Sequence, residues 1–389
     1  MSICLTSPCE SVVPYRLHHL PSILPHIRFN LLTPDDTAAI LEHPLVMTDS
    51  GSSEVIKNAV QKGNPNLKPR LGRTTEMVLL SAVGSNELLF MNPREGKYIS
   101  CSYNHKDFPL ARDTDVTVTS DNNIYRLIRE RDNSKPLFVL KYNHAENVWE
   151  DTGMSSVSKS LRLGNNVNCY EEHLVEVDQT LYYLAENIEE CLVSMRKYSW
   201  HTDQWQECSQ LQFDNTSYDF NSTCQFSAAL SCSSDLYFLT SKELHCYDPR
   251  QDRWYKQSSS PQPNLEMRAA VSMGTEIFCT DFSFTQTLVY DTESDYWQKL
   301  PGWPDPGIRE TYGSPYFFVL ENQLHILLNY SYGYDDDDGK HLVYVYDRSA
   351  DAWRDLKATL PDKEYYSYGN LCHVARIYLP YLKVQDKET

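Results

Sequence analysis

A tyrosine stands seven residues before a tryptophan at five regularly spaced places in this chain, each time with Asp or Asn two residues before the tryptophan. A degenerate sixth copy, from Met91 to Tyr98, lies upstream of the others. Successive copies begin 43 to 56 residues apart. A unit with a period near 50 residues predicts an array of similar supersecondary units. The five full copies are Tyr142–Trp149, Tyr198–Trp205, Tyr247–Trp254, Tyr290–Trp297 and Tyr346–Trp353.

Each copy is typical of a β-hairpin. Apolar or aromatic residues lead into its first position, a short polar segment follows, and alternating apolar residues resume around the tryptophan. The first acidic residue of a copy, such as Asp248, predicts an Asx-turn, and the second, such as Asp252, tolerates the left-handed backbone that such a loop needs. Gly96 takes the second place in the first copy. We assign the repeated Tyr and Trp side chains to the core and not to binding.

Two more strand-like runs precede the hairpin, as in 268–271 and 276–278. Four strands per unit at this period predict a propeller blade, and six hairpins predict six blades. The first copy begins at Glu76 without room for its innermost strand. We therefore expect the C-terminal segment 372–378 to supply that strand and to close the ring, which removes an open sheet edge.

The recurring Tyr-Asp…Trp hairpin resembles the end of the kelch repeat, over residues 77 to about 382. Kelch blades usually carry a Gly-Gly doublet after the second strand, and here pairs such as Leu127-Ile128 and Leu239-Thr240 replace it. The resemblance implies an all-β fold, a six-bladed kelch β-propeller closed by a C-terminal strand. Its repeat hairpins lie near 91–98, 142–149, 198–205, 247–254, 290–297 and 346–353.

The first 62 residues have a different pattern. Thr33 followed by Pro34 and two acidic residues predicts a helix start, and Pro44 predicts its end. The stretch 20–34 resembles the end of a BACK domain, the helical domain of the BTB–BACK–kelch family. We therefore expect a short α-helical BACK-domain remnant at 1–62, a linker at 63–75, the propeller at 76–382 and a tail at 383–389.

Members of that family are typically substrate adaptors of cullin-3 ubiquitin ligases. No segment of this sequence matches a BTB domain or the first half of BACK, so the resemblance implies a propeller that binds a protein substrate and would reach cullin-3 only through the missing region of a longer form. A cytoskeletal, actin-associated kelch scaffold is the alternative, and a propeller enzyme is the least expected reading.

In kelch adaptors the loops after the second and fourth strands form the substrate face. Arginine and aromatic side chains are common anchors of interface hot spots, so those in the matching segments here are candidate partner-binding residues. They are Arg129, Arg131, Arg162, Tyr218, Phe220, Phe282, Phe284, Trp303, Arg309, Tyr312, Tyr330, Tyr332, Tyr334, Tyr365, Tyr366 and Tyr368.

The net charge of −18 favours some classes of binding partner over others. Residues 1–75 hold seven basic and six acidic side chains, so the negative charge belongs to the propeller. It disfavours nucleic acid and anionic membrane surfaces and favours a partner segment of basic or mixed charge.

Sequence motifs of catalysis are missing from this chain: we find no nucleophile elbow, zinc-protease motif, phosphate-binding glycine loop or dinucleotide fingerprint. We accordingly predict no catalytic residue, no cofactor and no metal site. The acidic run 335–338 does not fit a calcium loop, because Val345 stands where the bidentate glutamate belongs. Eleven scattered cysteines without a C-x-x-C pair, together with the lack of a signal-peptide pattern, predict a reducing, cytoplasmic location.

Overall fold

The chain divides into two compact units, Met1–Arg73 and Thr74–Thr389. The computed structural model describes residues 34–47, 56, 74–82, 87–102, 112–129, 136–144, 148–157, 170–187, 190–212, 226–240, 243–259, 267–281, 286–300, 315–330, 340–358, 365–366 and 371–377. In this part of the chain no helix is both long and apolar enough to cross a membrane.

The first unit contains two described helices, α1 (Pro34–Leu41) and α2 (Pro44–Met47). Helix α1 begins at the predicted proline, which is tolerated in a first helical turn because its missing N–H has no partner there. The helix ends at Leu41, before Pro44, and Pro44 opens α2 in the same way. These short helices do not test the resemblance to BACK, which stays a prediction.

The second unit consists of antiparallel sheets that follow one another along the chain. Blade 2 contains β4 (Arg112–Val118), β5 (Ile124–Arg129), β6 (Leu137–Asn143) and β7 (Val148–Asp151). Blade 3 contains β8 (Tyr170–Val177), β9 (Thr180–Asn187), β10 (Leu192–Ser199) and β11 (Gln204–Gln212). Blade 4 contains β12 (Ser227–Cys232), β13 (Asp235–Thr240), β14 (Leu244–Asp248) and β15 (Arg253–Lys256).

The remaining blades complete the propeller. Blade 5 contains β16 (Met267–Met273), β17 (Glu276–Asp281), β18 (Thr287–Asp291) and β19 (Tyr296–Leu300). Blade 6 contains β20 (Tyr316–Leu320), β21 (Gln323–Tyr330), β22 (Lys340–Asp347) and β23 (Ala352–Asp355). Blade 1 combines β1 (Thr75–Ala82), β2 (Glu87–Asn92) and β3 (Lys97–Ser102) with two C-terminal strands, β24 (Tyr365–Tyr366) and β25 (Val374–Ile377). The six-bladed all-β fold predicted from the repeat is confirmed.

The predicted hairpins are the third and fourth strands of the blades. In blade 4, Tyr247 lies directly opposite Trp254, and every full copy shows the same pairing. The turn chemistry also follows the prediction. Asp248 Oδ1 accepts the Arg250 N–H at 2.8 Å, which closes an Asx-turn. Asp252 has a φ of 50°, and Gly96 in blade 1 has a φ of 63°, so both occupy the left-handed region.

The second turn aspartate also joins neighbouring blades. Asp252 Oδ1 accepts the Tyr247 hydroxyl at 2.6 Å within blade 4 and the backbone N–H of Ser209, in blade 3, at 2.8 Å. The Trp254 indole N–H donates to the carbonyl of the same Ser209 at 2.9 Å. One repeat unit therefore satisfies both backbone groups of a residue on the exposed outer strand of the preceding blade. We call this arrangement the interblade clamp.

The interblade clamp occurs in three consecutive blades, 3 to 5, in the described part of the chain. In blade 5, Asp295 accepts the hydroxyl of Tyr290 at 2.7 Å and the N–H of Ser258 at 3.1 Å, and Trp297 donates to the Ser258 carbonyl at 2.8 Å. Blade 3 contacts Ser155 of blade 2 in the same way through Asp203 and Trp205. The predicted core role is confirmed for the five repeat tyrosines and for Trp297 and Trp353, which are all buried. Trp149, Trp205 and Trp254 are only partly buried.

The apolar core lies between the blades. Six clusters of buried residues occur in the described part of the chain, and each is shared by two neighbouring blades. Phe90 of blade 1 meets Tyr142 of blade 2, for example, with ring centroids 5.8 Å apart. Because each of the six interfaces has such a cluster, burial of apolar surface holds the ring together all the way round.

The C-terminal strand closes the ring as predicted. Strand β25 pairs with β1 antiparallel, with Val374 opposite Val78 and Ile377 opposite Thr75. The Asn122 side chain of blade 2 then binds the edge of β25 that faces away from β1: its amide N–H donates to the Arg376 carbonyl at 2.7 Å, and its Oδ1 accepts the Arg376 N–H at 2.6 Å. The C-terminal strand is thereby held between blades 1 and 2.

Truncation after Gly369 removes β25 and uncovers the edge of β1, so we expect the shortened chain to unfold at a clearly lower temperature and to self-associate. Thermal unfolding and size-exclusion chromatography measure both effects, with a chain lacking only 383–389 as the control. A milder variant, Asn122→Gly, keeps the positive φ of that position and loses both contacts with Arg376. It should lower the free energy of unfolding by about 1 kcal/mol. A truncated chain that stays monomeric with an unchanged melting temperature would contradict closure by β25.

Candidate protein-binding face

The strand order separates the two faces of the propeller. Strands alternate in direction within a blade. The connection between its first and second strands and the connection between its third and fourth strands therefore lie on the same face of the propeller, here called the turn face. On the turn face the strands are joined by short segments such as 178–179, 233–234 and 274–275. The other connections leave from the opposite face, here called the loop face, and they include the longer segments 213–226, 301–315 and 331–339.

Four of the predicted binding residues lie in the described part of the chain, and all four stand at the loop face. Arg129 ends β5 in blade 2, and Tyr330 ends β21 in blade 6. Tyr365 and Tyr366 form β24, which pairs with the loop-face end of β1 in blade 1. Blades 6, 1 and 2 are neighbours in the ring, so these positions share one sector of the loop face.

The other twelve predicted residues lie outside the described residues, and their binding role stays a prediction. All of them belong to segments that connect strands at the loop face. They are Arg131, Arg162, Tyr218, Phe220, Phe282, Phe284, Trp303, Arg309, Tyr312, Tyr332, Tyr334 and Tyr368.

The structure adds an acidic group that sequence reasoning did not select, in the loop-face half of blades 2 and 3. Asp115 lies next to a register shift in β4, and its Oδ2 accepts the N–H of Leu174 at 2.7 Å. Tyr183 donates its hydroxyl to Glu172 Oε1 at 3.1 Å. Burial raises the pKa of Asp115 well above its usual range; the Leu174 N–H opposes this effect, and the charges of Glu171 and Glu172 add to it.

A signal for these residues was present in the sequence. Acidic residues within β4 and the Glu171-Glu172-His173 run at the start of β8 interrupt the apolar pattern expected of inner strands. Charged residues rarely become fully buried without partners, so such interruptions identify positions where neighbouring blades exchange polar contacts.

A histidine and a serine connect blades 3 and 4. His173 Nε2 lies 3.0 Å from Ser227 Oγ, and the imidazole ring meets Phe238 edge-on at 5.8 Å. Burial lowers the pKa of His173 to about 4. His173 and Ser227 are 3% and 2% exposed, so the pair cannot reach a substrate as it stands and acts as a link between blades.

Two further features of the described residues bear on chemistry. No group of three or more His, Cys, Asp or Glu side chains in this part of the chain is placed to hold a metal ion. The cysteines that the structure describes are free thiols, and burial raises the pKa of Cys232 and Cys246 to about 11. Such thiols are poor nucleophiles near neutral pH, because the thiolate is the reactive form.

Comparison with known proteins relates the chain to kelch proteins. It is 21% identical over 417 residues to Kelch repeat and BTB domain-containing protein 2 of Pongo abelii, and 22% identical over 424 residues to the protein of that name from Homo sapiens. Each alignment covers 93% of this chain and 61% of the relative, so the chain matches only part of the length of these relatives. No family model matches the chain.

Solved structures give a weaker comparison. A protein from Lactobacillus plantarum is 10% identical, with a TM-score of 0.47 over 78% of this chain and 99% of that protein. A similarity this low carries no weight for function. The six blades are read from the strand pairing of the chain itself, and the kelch relationship from its repeat together with the sequence similarity over most of its length.

Replacement of His173 by Gln should make the free energy of unfolding less dependent on pH. The folded chain holds His173 neutral, while the unfolded chain protonates it below about pH 6.5, so the wild type loses stability as the pH falls from about 6.5 towards 4. We expect His173 to account for a loss of roughly 1–2 kcal/mol between pH 7 and pH 5. Denaturant unfolding at both pH values measures the difference, with exposed His201→Gln as the control. An equal loss in wild type and His173→Gln would refute this assignment.

Proposed function

We propose that this chain is a non-enzymatic, protein-binding propeller that holds its partner on the loop face. The observation that carries the proposal is the one-sided placement of the connections: short turns occupy one face, and the longer segments leave from the other. Short turns stabilise the scaffold, while long surface connections can vary without disturbing it, and binding residues are concentrated in such segments.

The chemistry of the loop face suits another protein. Arg129, Tyr330, Tyr365 and Tyr366 stand at strand ends of three neighbouring blades, and the remaining candidate residues belong to the adjoining segments. Tyrosine and arginine combine a large contact area with hydrogen bonding, which is why they recur in interface hot spots. Strand ends of rigid blades fix the backbone at these positions, which limits the conformational entropy lost on binding.

Charge favours a basic or mixed-charge segment of the partner. The propeller carries the net negative charge of the chain, and Glu171 and Glu172 lie in the loop-face half of blade 3. Attraction of this kind raises association rates and weakens as salt is added.

More specifically, we propose that the chain is the substrate-recognition part of a cullin-3 ubiquitin-ligase adaptor that acts in the cytoplasm. Two observations support it: the similarity to Kelch repeat and BTB domain-containing protein 2, and the helical pattern at 1–62 that resembles the end of a BACK domain. Contact with cullin-3 would require a BTB region, which no segment of this sequence resembles. An actin-associated scaffold would bind F-actin without a ligase.

The triple variant Arg129→Ala, Tyr330→Ala, Tyr366→Ala tests the loop face. Proteins recovered from cytosol by the wild-type chain should be lost or reduced at least about tenfold with the triple variant, as expected for the removal of interface anchors. Tyr255→Ala, Tyr296→Ala is the matched control, because these exposed tyrosines lie on the outer strands of blades 4 and 5. Quantitative mass spectrometry of the captured proteins provides the measurement. An identical set of proteins with wild type and triple variant would overturn the loop-face assignment.

A further inference from the structure

Trp200 is the one tryptophan that neither the repeat nor the loop-face proposal uses. Five of the seven tryptophans mark the hairpins, and Trp303 belongs to a loop-face segment. Trp200 lies instead in the hairpin turn between β10 and β11, on the turn face, and 56% of it is exposed. An exposed indole costs hydration free energy and gains binding energy when a partner covers it, so it calls for a functional explanation.

The corresponding residues of other hairpins join the turns of the scaffold. In blade 5, Thr292 Oγ1 donates to the carbonyl of Thr275 at 2.8 Å. In blade 6, Arg348 forms an ion pair with Glu276. A small or charged residue is therefore sufficient at this place in the hairpin, and the structural role does not require a tryptophan.

Only one edge of the Trp200 ring is used for such a contact. Its indole N–H donates to the carbonyl of Gln179 at 3.2 Å, and the ring meets Tyr198 at 86° with centroids 4.8 Å apart. These two contacts hold the indole in place while more than half of the residue remains open to solvent. A pre-positioned aromatic ring loses little side-chain entropy when it is covered.

Three aspartates lie on the turn face of blades 3 and 4, the blade of Trp200 and the next one. Asp178 precedes Gln179 in the turn between β8 and β9 and is exposed. Asp235 begins β13 in blade 4, and Asp248 lies in the next hairpin. Burial raises the pKa of Asp235, the charges of Asp248 and Asp178 raise it further, and Arg250 opposes them. The charges of Asp178 and Asp248 therefore both act on Asp235.

Two carboxylates elsewhere on the turn face have cationic partners. Glu321 pairs with Arg94 at 2.8 Å, and Glu76 lies 3.6 Å from the Arg376 guanidinium. Within the described part of the chain, neither Asp178 nor Asp235 forms such a pair. Asp178 and Asp235 therefore carry negative charge that no ion pair among the described residues neutralises, and Arg250 opposes it in part.

We propose that Trp200, Asp178 and Asp235 form a second docking surface, on the turn face, for an arginine-containing segment of a protein partner. A guanidinium group can stack on an indole ring while it forms ion pairs with neighbouring carboxylates. The complementarity of charge, together with the exposed aromatic ring, selects this occupant over an apolar or acidic one. This surface lies opposite the loop face, so it can be present whether or not the loop face binds a partner.

Fluorine NMR of chain labelled with 5-fluorotryptophan tests the proposal. Trp200→Phe identifies the Trp200 resonance as the one that disappears, and the probe is the acetylated, amidated octapeptide (Arg-Gly)₄. We expect the Trp200 resonance to shift saturably with this peptide and to remain unmoved by (Glu-Gly)₄. The apparent affinity should fall roughly fivefold or more in Asp178→Asn, Asp235→Asn, and also at high salt.

The variants are chosen to preserve the fold. Asn tolerates the positive φ of 51° at position 178, and the matched control Asp291→Asn, Asp347→Asn removes two charges from the hairpins of blades 5 and 6. That control, and the triple loop-face variant, should bind the arginine peptide as the wild type does. The proposal is overturned if the Trp200 resonance does not move, if the glutamate peptide shifts it equally, or if Asp178→Asn, Asp235→Asn binds with unchanged affinity.

Discussion

The interblade clamp is the interaction that sets how three consecutive blades of the propeller align with one another. A blade of four strands ends in an outer strand whose backbone groups would otherwise face solvent. Asp252 and Trp254 of blade 4 bind both backbone groups of Ser209 in blade 3, and Asp295 and Trp297 repeat the arrangement one blade later. Each hairpin thereby aligns its own blade against the preceding one, while the apolar clusters between blades supply the larger share of the stabilisation.

The clamp also explains why the turn face has short, uniform connections and the loop face has longer ones. The clamp aspartates and the short turns between the first and second strands of each blade lie on the turn face. Positive φ angles and Asx-turns fix the backbone conformation there. Asx contacts with positive φ also occur at the loop face, at Gly153 and Lys357, but the connections that leave from this face differ widely in length. A scaffold fixed from one side allows variation on the other, which is the basis for placing partner binding there.

Much of this fold could be predicted from the sequence because the constraints are local and repeated. A tyrosine, an aspartate or asparagine and a tryptophan within eight residues indicate one hairpin, and five such copies with a degenerate sixth indicate six blades. Closure by β25 followed from the missing strand of the first copy. Contacts between distant residues were not predictable in this way: the pairing of Asn122 with Arg376, the burial of Asp115 beside Leu174 and the exposure of Trp200 depend on how blades meet.

Amide hydrogen exchange at Ser209 and Ser258 tests the interblade clamp most directly. Both residues lie at the exposed outer side of their blades, yet their N–H groups donate to Asp252 and Asp295. They should therefore exchange slowly, and Asp252→Gly, which keeps the positive φ, should accelerate exchange at Ser209 by about tenfold or more while Ser258 stays protected. Fast exchange at Ser209 in the wild type, or unchanged protection in Asp252→Gly, would contradict the clamp.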